Sequence, residues 1–362
     1  MNVQDLEVAL RTRVDLAAHG DRLPPVRQLM REYKVGQAAV QEILGRMARQ
    51  GLLQLQVGRG TFVHKPGQGR GSPLAGARVL VLSARVQSER SHQVARRVQE
   101  QLGAAGARCV QLVYERLEEA LEVLRLSTRF DACVLQSYFD AIPLGLLSFL
   151  RERCGAVVVD GARVTGVDLD AVASDWRGAL DMAIEQVVDA GHRRIALLAW
   201  PGAVQPLEGL RHHFVSLRRA LRRQDREMPL IELGRIPKPQ EGAPELVEDA
   251  FARVWEDKAS RPTALLALGL GPSVLALSET IDRHRLHIPR DLSVVVLSHI
   301  DVADEINSRF DAVGSRSADA AHALVAQVRD RLEFPAKDPG TVYLANHYRK
   351  AGTLRAPSGA GK

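Results

Sequence analysis

Arg59 stands between Gly58 and Gly60, so a permanently charged guanidinium is offered at a point where the backbone can approach a partner closely. A cation presented this way suits a phosphate or a groove contact rather than bond-making chemistry. The rest of the chain supplies no catalytic constellation. It has no G-x-x-x-x-G-K-[ST] phosphate loop, no H-E-x-x-H, no paired C-x-x-C and no G-x-S-x-G elbow. Gly269-Leu270-Gly271-Pro272-Ser273 makes a glycine turn but lacks the basic residue and spacing of a phosphate cradle. His212 and His213 are adjacent, so on a helix they point two ways and do not chelate one metal. Cys109, Cys133 and Cys154 lack metal spacing and read as small buried residues of a reducing cytoplasm. The expectation is a binding protein, with no enzyme activity, no metal and no cofactor.

The elements that must position Arg59 are legible around it. Leu29, Met30 and Tyr33 make an apolar stripe at helical spacing, and Val40, Ile43, Leu44 and Met47 make a second. Val35-Gly36 is the expected turn between the two helices, and Gly51 the stop of the second. Leu52–Gln56 then alternates as a strand, Gly58-Arg59-Gly60 turns, and Thr61-Phe62-Val63 returns. Two short helices and a glycine-tipped hairpin are the pattern of a winged helix-turn-helix. Charge agrees with it. Residues 1–70 hold eleven Lys and Arg against six Asp and Glu, a net of +5 out of +6 for the whole chain. A basic small domain on a near-neutral larger one is the layout of a duplex-binding head on a sensing body.

The head resembles the N-terminal domain of the GntR family of bacterial regulators over about residues 4–64. The resemblance rests on L-P-x-x-R at Leu23–Arg27, V-x-x-x-x-V at Val35–Val40 and G-R-G-T-F-V at Gly58–Val63. It implies that the second helix, Gln37–Gln50, enters a major groove and that the wing lies on the adjacent minor groove. It implies a phosphate-gripping role for Arg27, base-facing positions for Gln37, Ala38 and Gln41, and wing contacts from Gly58, Arg59, Gly60 and Thr61. Arg46 and Arg49 lie further along the helix and would meet phosphates or solvent. Many members carry arginine where this chain has Gln37 and Gln41. Glutamine pairs in a bidentate way with adenine where arginine favours guanine, so a less guanine-dependent operator is expected.

Beyond the head, His64–Ala77 is rich in glycine and proline and reads as a linker, giving a head over 1–64, a linker over 65–77 and a body over 78–353. The last residues, 354–362, read as a disordered tail. In the body, apolar runs at Val79–Ser83, Cys109–Val113, Ala132–Gln136 and Ala156–Val159 alternate with helical patterns. A second series follows with runs at Ile195–Ala199, Leu230–Glu232, Ala264–Leu268 and Leu292–Leu297. Such alternation means parallel sheets flanked by helices, here two α/β lobes with a cleft between them. The fold class is therefore α/β, a winged helix-turn-helix followed by a two-lobed body.

That body resembles the LacI-type periplasmic-binding-protein fold. The resemblance is carried by Asp175-Trp176-Arg177-Gly178-Ala179, Gly191-His192-Arg193-Arg194-Ile195-Ala196 and Ile288-Pro289-Arg290-Asp291-Leu292-Ser293-Val294-Val295. It implies a dimeric regulator with a small-molecule effector, possibly a sugar, between the lobes. Asp160, Asp175 and Arg211 match effector-binding positions. Gly269 stands where the family has an Asn-Asp pair, and Ser298-His299 where it has Asp-Asp. Trp176 and Trp200 fall at strand ends where they could stack on a ring. The function expected is a repressor of carbohydrate-use genes acting on a palindromic operator as a cytoplasmic homodimer, with no membrane span. Two alternatives stand beside it: a regulator whose cleft no longer binds a sugar, and a transporter's solute-binding protein. The fused head and the absence of a signal-peptide pattern oppose the latter.

Overall fold

The computed structural model describes residues 3–17, 21–56, 60–63, 72–84, 89–136, 142–161, 167, 169–199, 205–222, 229–232, 244–256, 261–268, 272–302 and 307–357. Its first unit comprises α1 (Val3–Leu16), α2 (Val26–Tyr33), α3 (Gln37–Arg49) and an antiparallel pair, β1 (Leu53–Gln56) with β2 (Gly60–Val63). Val40, Ile43, Leu44 and Met47 bury the expected face of α3 against Leu29 of α2, while Met30 and Tyr33 are half-buried at its edge. The sequence reading assigned no role to α1, yet its Leu6, Leu10 and Val14, four residues apart, are all buried in this core. Each such burial contributes roughly 2 kcal/mol. The turn between α2 and α3 also differs from expectation. Its left-handed residue is Lys34 (φ 52°), whereas Gly36 is extended and only precedes α3. Gly51 (φ 76°) does need to be glycine and does end α3.

The near lobe begins with a turn at Ser72–Ala77. Leu74 is 2% exposed and packs in the lobe's core, so the expected linker ends several residues early. The lobe comprises β3 (Arg78–Ala84), α4 (Glu89–Ala104), β4 (Arg108–Tyr114), α5 (Leu117–Leu126), β5 (Phe130–Gln136), α6 (Leu144–Arg153), β6 (Cys154–Gly161) and β7 (Asp170–Ser174). The chain then crosses into the far lobe, with α7 (Trp176–Asp189), β8 (Ile195–Ala199), α8 (Gln205–Arg222), β9 (Leu230–Glu232), α9 (Pro244–Trp255), β10 (Ala264–Leu268), α10 (Pro272–Arg283), β11 (Ser293–Leu297) and β12 (Asp311–Gly314). It returns as α11 (Ser317–Glu333) and β13 (Thr341–Leu344), and crosses once more to β14 (His347–Arg349).

The near sheet has the order β13-β7-β6-β5-β3-β4, parallel throughout, and the far sheet β14-β12-β11-β10-β8-β9, parallel except for β14. Their central strands are apolar runs because both faces are covered, whereas the edge strand β4 leaves Val110 and Val113 exposed. In the near lobe α4 and α11 cover one face, and α5 and α6 the other.

The three crossings lie side by side and are tied by polar contacts. Ser174 Oγ meets Ser315 Oγ at 3.1 Å, Asn346 Nδ2 donates to the carbonyl of Asp175 at 2.8 Å, and His347 Nε2 lies 3.6 Å from Asp319. The chain's last described stretch is a strap on the far lobe rather than the start of a disordered tail. Leu354 N donates to Asp311 at 3.1 Å and Arg355 N to Ser293 Oγ at 3.1 Å, so the expected boundary at Leu354 falls inside folded structure.

Candidate DNA-binding face and interlobe cleft

In the head, Gln37, Ala38 and Gln41 are exposed along one face of α3's N-terminal half, opposite the buried Val40 and Ile43. Positions i, i+1 and i+4 share a helix face, so the two amides can address one groove together. Arg27 is exposed in the first turn of α2 and has no ion-pair partner among the described residues. Arg46 is differently placed. Its guanidinium bridges Glu7 of α1 and Glu42, each at 2.8 Å, so it braces α1 against α3 in competition with any phosphate. Gly58 and Arg59, with the rest of the wing tip, lie outside the described residues.

The wing's base is held from behind. Leu23 N donates to the Thr61 carbonyl at 2.8 Å and Val63 N to the Asp21 carbonyl at 2.7 Å, adding Asp21–Leu23 to the hairpin as a short third strand. Gly60 adopts φ 123°, and a Cβ there would come within 2.7 Å of Arg22 Nε, so the guanidinium of Arg22 packs against a bare backbone. Arg22 therefore brings a second cation to the wing that the sequence reading passed over.

In the body, the strand ends facing the cleft hold Asp160, Ser298 and His299, all buried. Arg90, at the start of α4, forms a bidentate ion pair with Asp160 (3.0 and 2.8 Å), and Gln136 Nε2 adds a bond to the same carboxylate at 3.1 Å. Asp160 is thus already engaged on three sides. Across the cleft, His299 Nδ1 lies 3.1 Å from Ser315 Oγ at the hinge, and the His299 ring meets that of Trp176 edge-on, with centroids 5.3 Å apart. Burial, and then the nearby positive charge of Arg90, hold His299 neutral, well below the ordinary imidazole range.

Asp301 follows on the same loop and caps α11. It accepts from Ser317 N at 2.6 Å, Ser317 Oγ at 2.7 Å and Ala318 N at 3.1 Å. Burial works to raise this carboxyl, but those bonds outweigh it and hold it below its ordinary value.

The remaining expected effector residues are dispersed. Asp175 turns inward as the N-cap of α7, accepting from Gly178 N at 3.0 Å. Arg211 is half-buried on α8, whose Leu210 and Phe214 lie in the far core. Trp200 and Gly269 fall outside the described residues. His213, read as surface or packing, makes a specific contact with Asp181 at 2.7 Å. The sequence reading missed Arg90, Ser83 and Gln136. A signal was present for the last two: Ser83 follows the apolar run Val79–Leu82 and Gln136 the run Ala132–Leu135, as Asp160 follows Ala156–Val159.

The head and body also touch. Arg49 at the end of α3 lies 3.2 Å from Asp338, and Gly51 packs over the ring of Phe334, just past α11.

Comparison with known proteins places both units. Residues 4–63 match the family described as bacterial regulatory proteins, gntR family, and residues 184–350 match the periplasmic binding protein-like domain. Among solved structures, a LacI transcriptional regulator from a Rhodococcus species superposes with TM-score 0.61 at 18% identity, covering 77% of this chain and 98% of that one. A LacI family regulator from Enterococcus faecium, solved with bound ribose, gives 0.61 at 15% identity, covering 77% and 99%. Another from Weissella paramesenteroides, with bound glucose, gives 0.59 at 14%, covering 77% and 98%. No curated protein matches the chain by sequence. At these identities the superpositions speak for the fold. The two family matches identify residues 4–63 as a GntR-type helix-turn-helix domain and residues 184–350 as a periplasmic-binding-protein-like domain, and the superpositions give the body the fold of the LacI-type regulators.

Proposed function

We propose that the protein is a transcriptional repressor of carbohydrate-use genes whose operator affinity is set by a small molecule, a sugar, in the cleft between the lobes. The observation that carries this reading is the exposed Gln37–Ala38–Gln41 face on a helix held rigid by α1 and the wing, joined to a hinged two-lobed body. A homodimer would present two such faces to the half-sites of a palindrome. The relatives solved with ribose and glucose support the sugar class.

The route from cleft to head runs through α11. The helix starts at the hinge, where Asp301 caps it and Ser317 Oγ also reaches Gln93 at 3.2 Å. Its 17 residues span about 25 Å, and beyond its end Phe334 and Asp338 meet Gly51 and Arg49 of the head. A ligand that binds the open and closed lobes unequally would shift α11, and with it the seat of α3. Gel-shift titration of the duplex upstream of the protein's own gene tests the DNA reading. The wild type should retard it specifically and the double variant Q37A/Q41A should not; unchanged specific retardation by the variant would contradict the proposed reading face.

A further inference from the structure

The wing carries a cation with a seat built for it. Arg22 bridges Phe62 in antiparallel register. The flanking bonds, Leu23 N to the Thr61 carbonyl at 2.8 Å and Val63 N to the Asp21 carbonyl at 2.7 Å, fix its backbone. Strand alternation then sorts the faces. Leu23, Val63 and Leu53 turn inward and are buried in the head's core. Arg22 and Phe62 therefore share the outer face, and Gly60 lies on that face two residues nearer the tip. Alternation places Asp21 on the other face, away from the guanidinium beside it in the sequence.

The seat is Gly60. From the level of Phe62 the Arg22 side chain runs about 7 Å toward the tip, two residues along the strand. A Cβ on residue 60 would stand 2.7 Å from Arg22 Nε, 3.1 Å from Nη2 and 3.3 Å from Cζ. The guanidinium thus occupies the place a side chain would take. Gly60 also has φ 123°, so glycine is required there for two separate reasons, conformation and room. Arg22 is exposed and has no ion-pair partner among the described residues. A second permanent cation, Arg59, is joined directly to Gly60 in the chain. An exposed guanidinium resting on bare backbone keeps its charge for an outside partner. Its rigid fork, already positioned, loses little freedom when that partner arrives.

We infer that Arg22 is a DNA contact of the wing: its guanidinium grips a backbone phosphate of the duplex, and Gly60 is the seat that holds it in place. This rests on the reading of the head as DNA-binding. A phosphate contact supplies affinity without reading bases, so Arg22 complements the Gln37–Gln41 face rather than duplicating it. A guanidinium that only propped up the hairpin would release no counterions from DNA, and that difference is measurable.

The test titrates salt against binding of the full chain to the duplex upstream of its own gene and to an unrelated duplex of equal length. Arg22→Ala should weaken both by a similar factor, roughly five- to tenfold at about 0.1 M salt, and flatten the log–log salt slope by about 0.9. Arg22→Gln, which keeps an uncharged stem against the hairpin, should do the same, whereas Arg22→Lys should keep the slope. Affinity lost at unchanged slope would make Arg22 a structural prop and overturn the inference, and so would unchanged affinity. The seat is read by a double-mutant cycle, in which the backbone strain of Gly60→Ala is common to both backgrounds. Gly60→Ala should cost less affinity in the Arg22→Ala background than in wild type, and equal costs would overturn the assigned seat. Should Gly60→Ala fold poorly, the three Arg22 variants still decide the contact. Wild-type protein that binds neither duplex strikes the DNA reading itself. Wild type that binds, with a slope indifferent to the Arg22 substitutions, strikes this inference alone.

Discussion

Asp175 and Gly178 are fitted to one another. Asp175 Oδ1 accepts the N–H of Gly178 at 3.0 Å, and Oδ2 occupies the space a Cβ on residue 178 would need. The D-x-x-G spacing in this segment is therefore the N-cap of α7, immediately after the first crossing between the lobes. Gly178→Ala should push the carboxylate off the cap and destabilise the far lobe by about 1–3 kcal/mol, with Asp175→Ala near the low end. Equilibrium denaturation checks this; a Gly178→Ala variant as stable as wild type would mean the cap is dispensable.

The glutamine face predicts a base preference. Replacing Gln41 with alanine should cost about 1–3 kcal/mol on the preferred duplex while leaving the dependence on salt nearly unchanged, because an amide neutralises no phosphate. Gln41→Arg should move preference toward guanine at the contacted position. Binding measured on a set of single-base duplex variants reads both effects.

Two buried neutral histidines set the acid limit. Burial lowers His192, which lies 2.9 Å from Thr263 Oγ1 and 2.8 Å from the Arg355 carbonyl. Burial and Arg90 lower His299 further. Both bind protons more readily unfolded, near the ordinary value of about 6.5, than folded. Their contribution is complete above about pH 6.5 and is lost as pH falls toward the folded values. Denaturation curves from pH 7.5 down to 5 should show falling stability, and His299→Asn should flatten part of that slope. A flat wild-type profile would be inconsistent with buried neutral imidazoles.

The C-terminal strap gives a third handle. Asp311, fully buried, accepts from Gly352 N at 2.6 Å, Thr353 N at 3.3 Å, Leu354 N at 3.1 Å and Tyr348 Oη at 2.6 Å. The tyrosine's hydroxyl is pushed up by burial and by that carboxylate. Asp311→Ala leaves these donors unmet and should cost about 3–5 kcal/mol. A chain ending at Lys350 should be destabilised comparably, which thermal unfolding can compare directly.

How much of this was legible in the sequence depended on periodicity. Strands buried on both faces announce themselves as apolar runs; the eight runs so identified in the body all formed strands, but Cys109–Val113 lies in the edge strand β4, which is not buried as expected. The apolar faces of α2 and α3 were equally clear. Leu6, Leu10 and Val14 were passed over because α1 is polar on most of its surface and its apolar residues recur only every fourth position. Lys34 in the left-handed region was hidden by the neighbouring glycine, which draws attention to itself. The cleft was least legible. Asp160 stands out as an acid after a valine run, but its partner Arg90 is 70 residues away and is identified by three-dimensional packing alone.

The account turns on the head binding duplex DNA through phosphate-supported contacts from a small basic domain. Its most direct test is a salt titration of full-length protein binding to its own upstream region. The account predicts tight, sequence-preferring binding at low salt, with log affinity falling linearly in log salt at about 0.9 per phosphate neutralised. No binding even at low salt would contradict it.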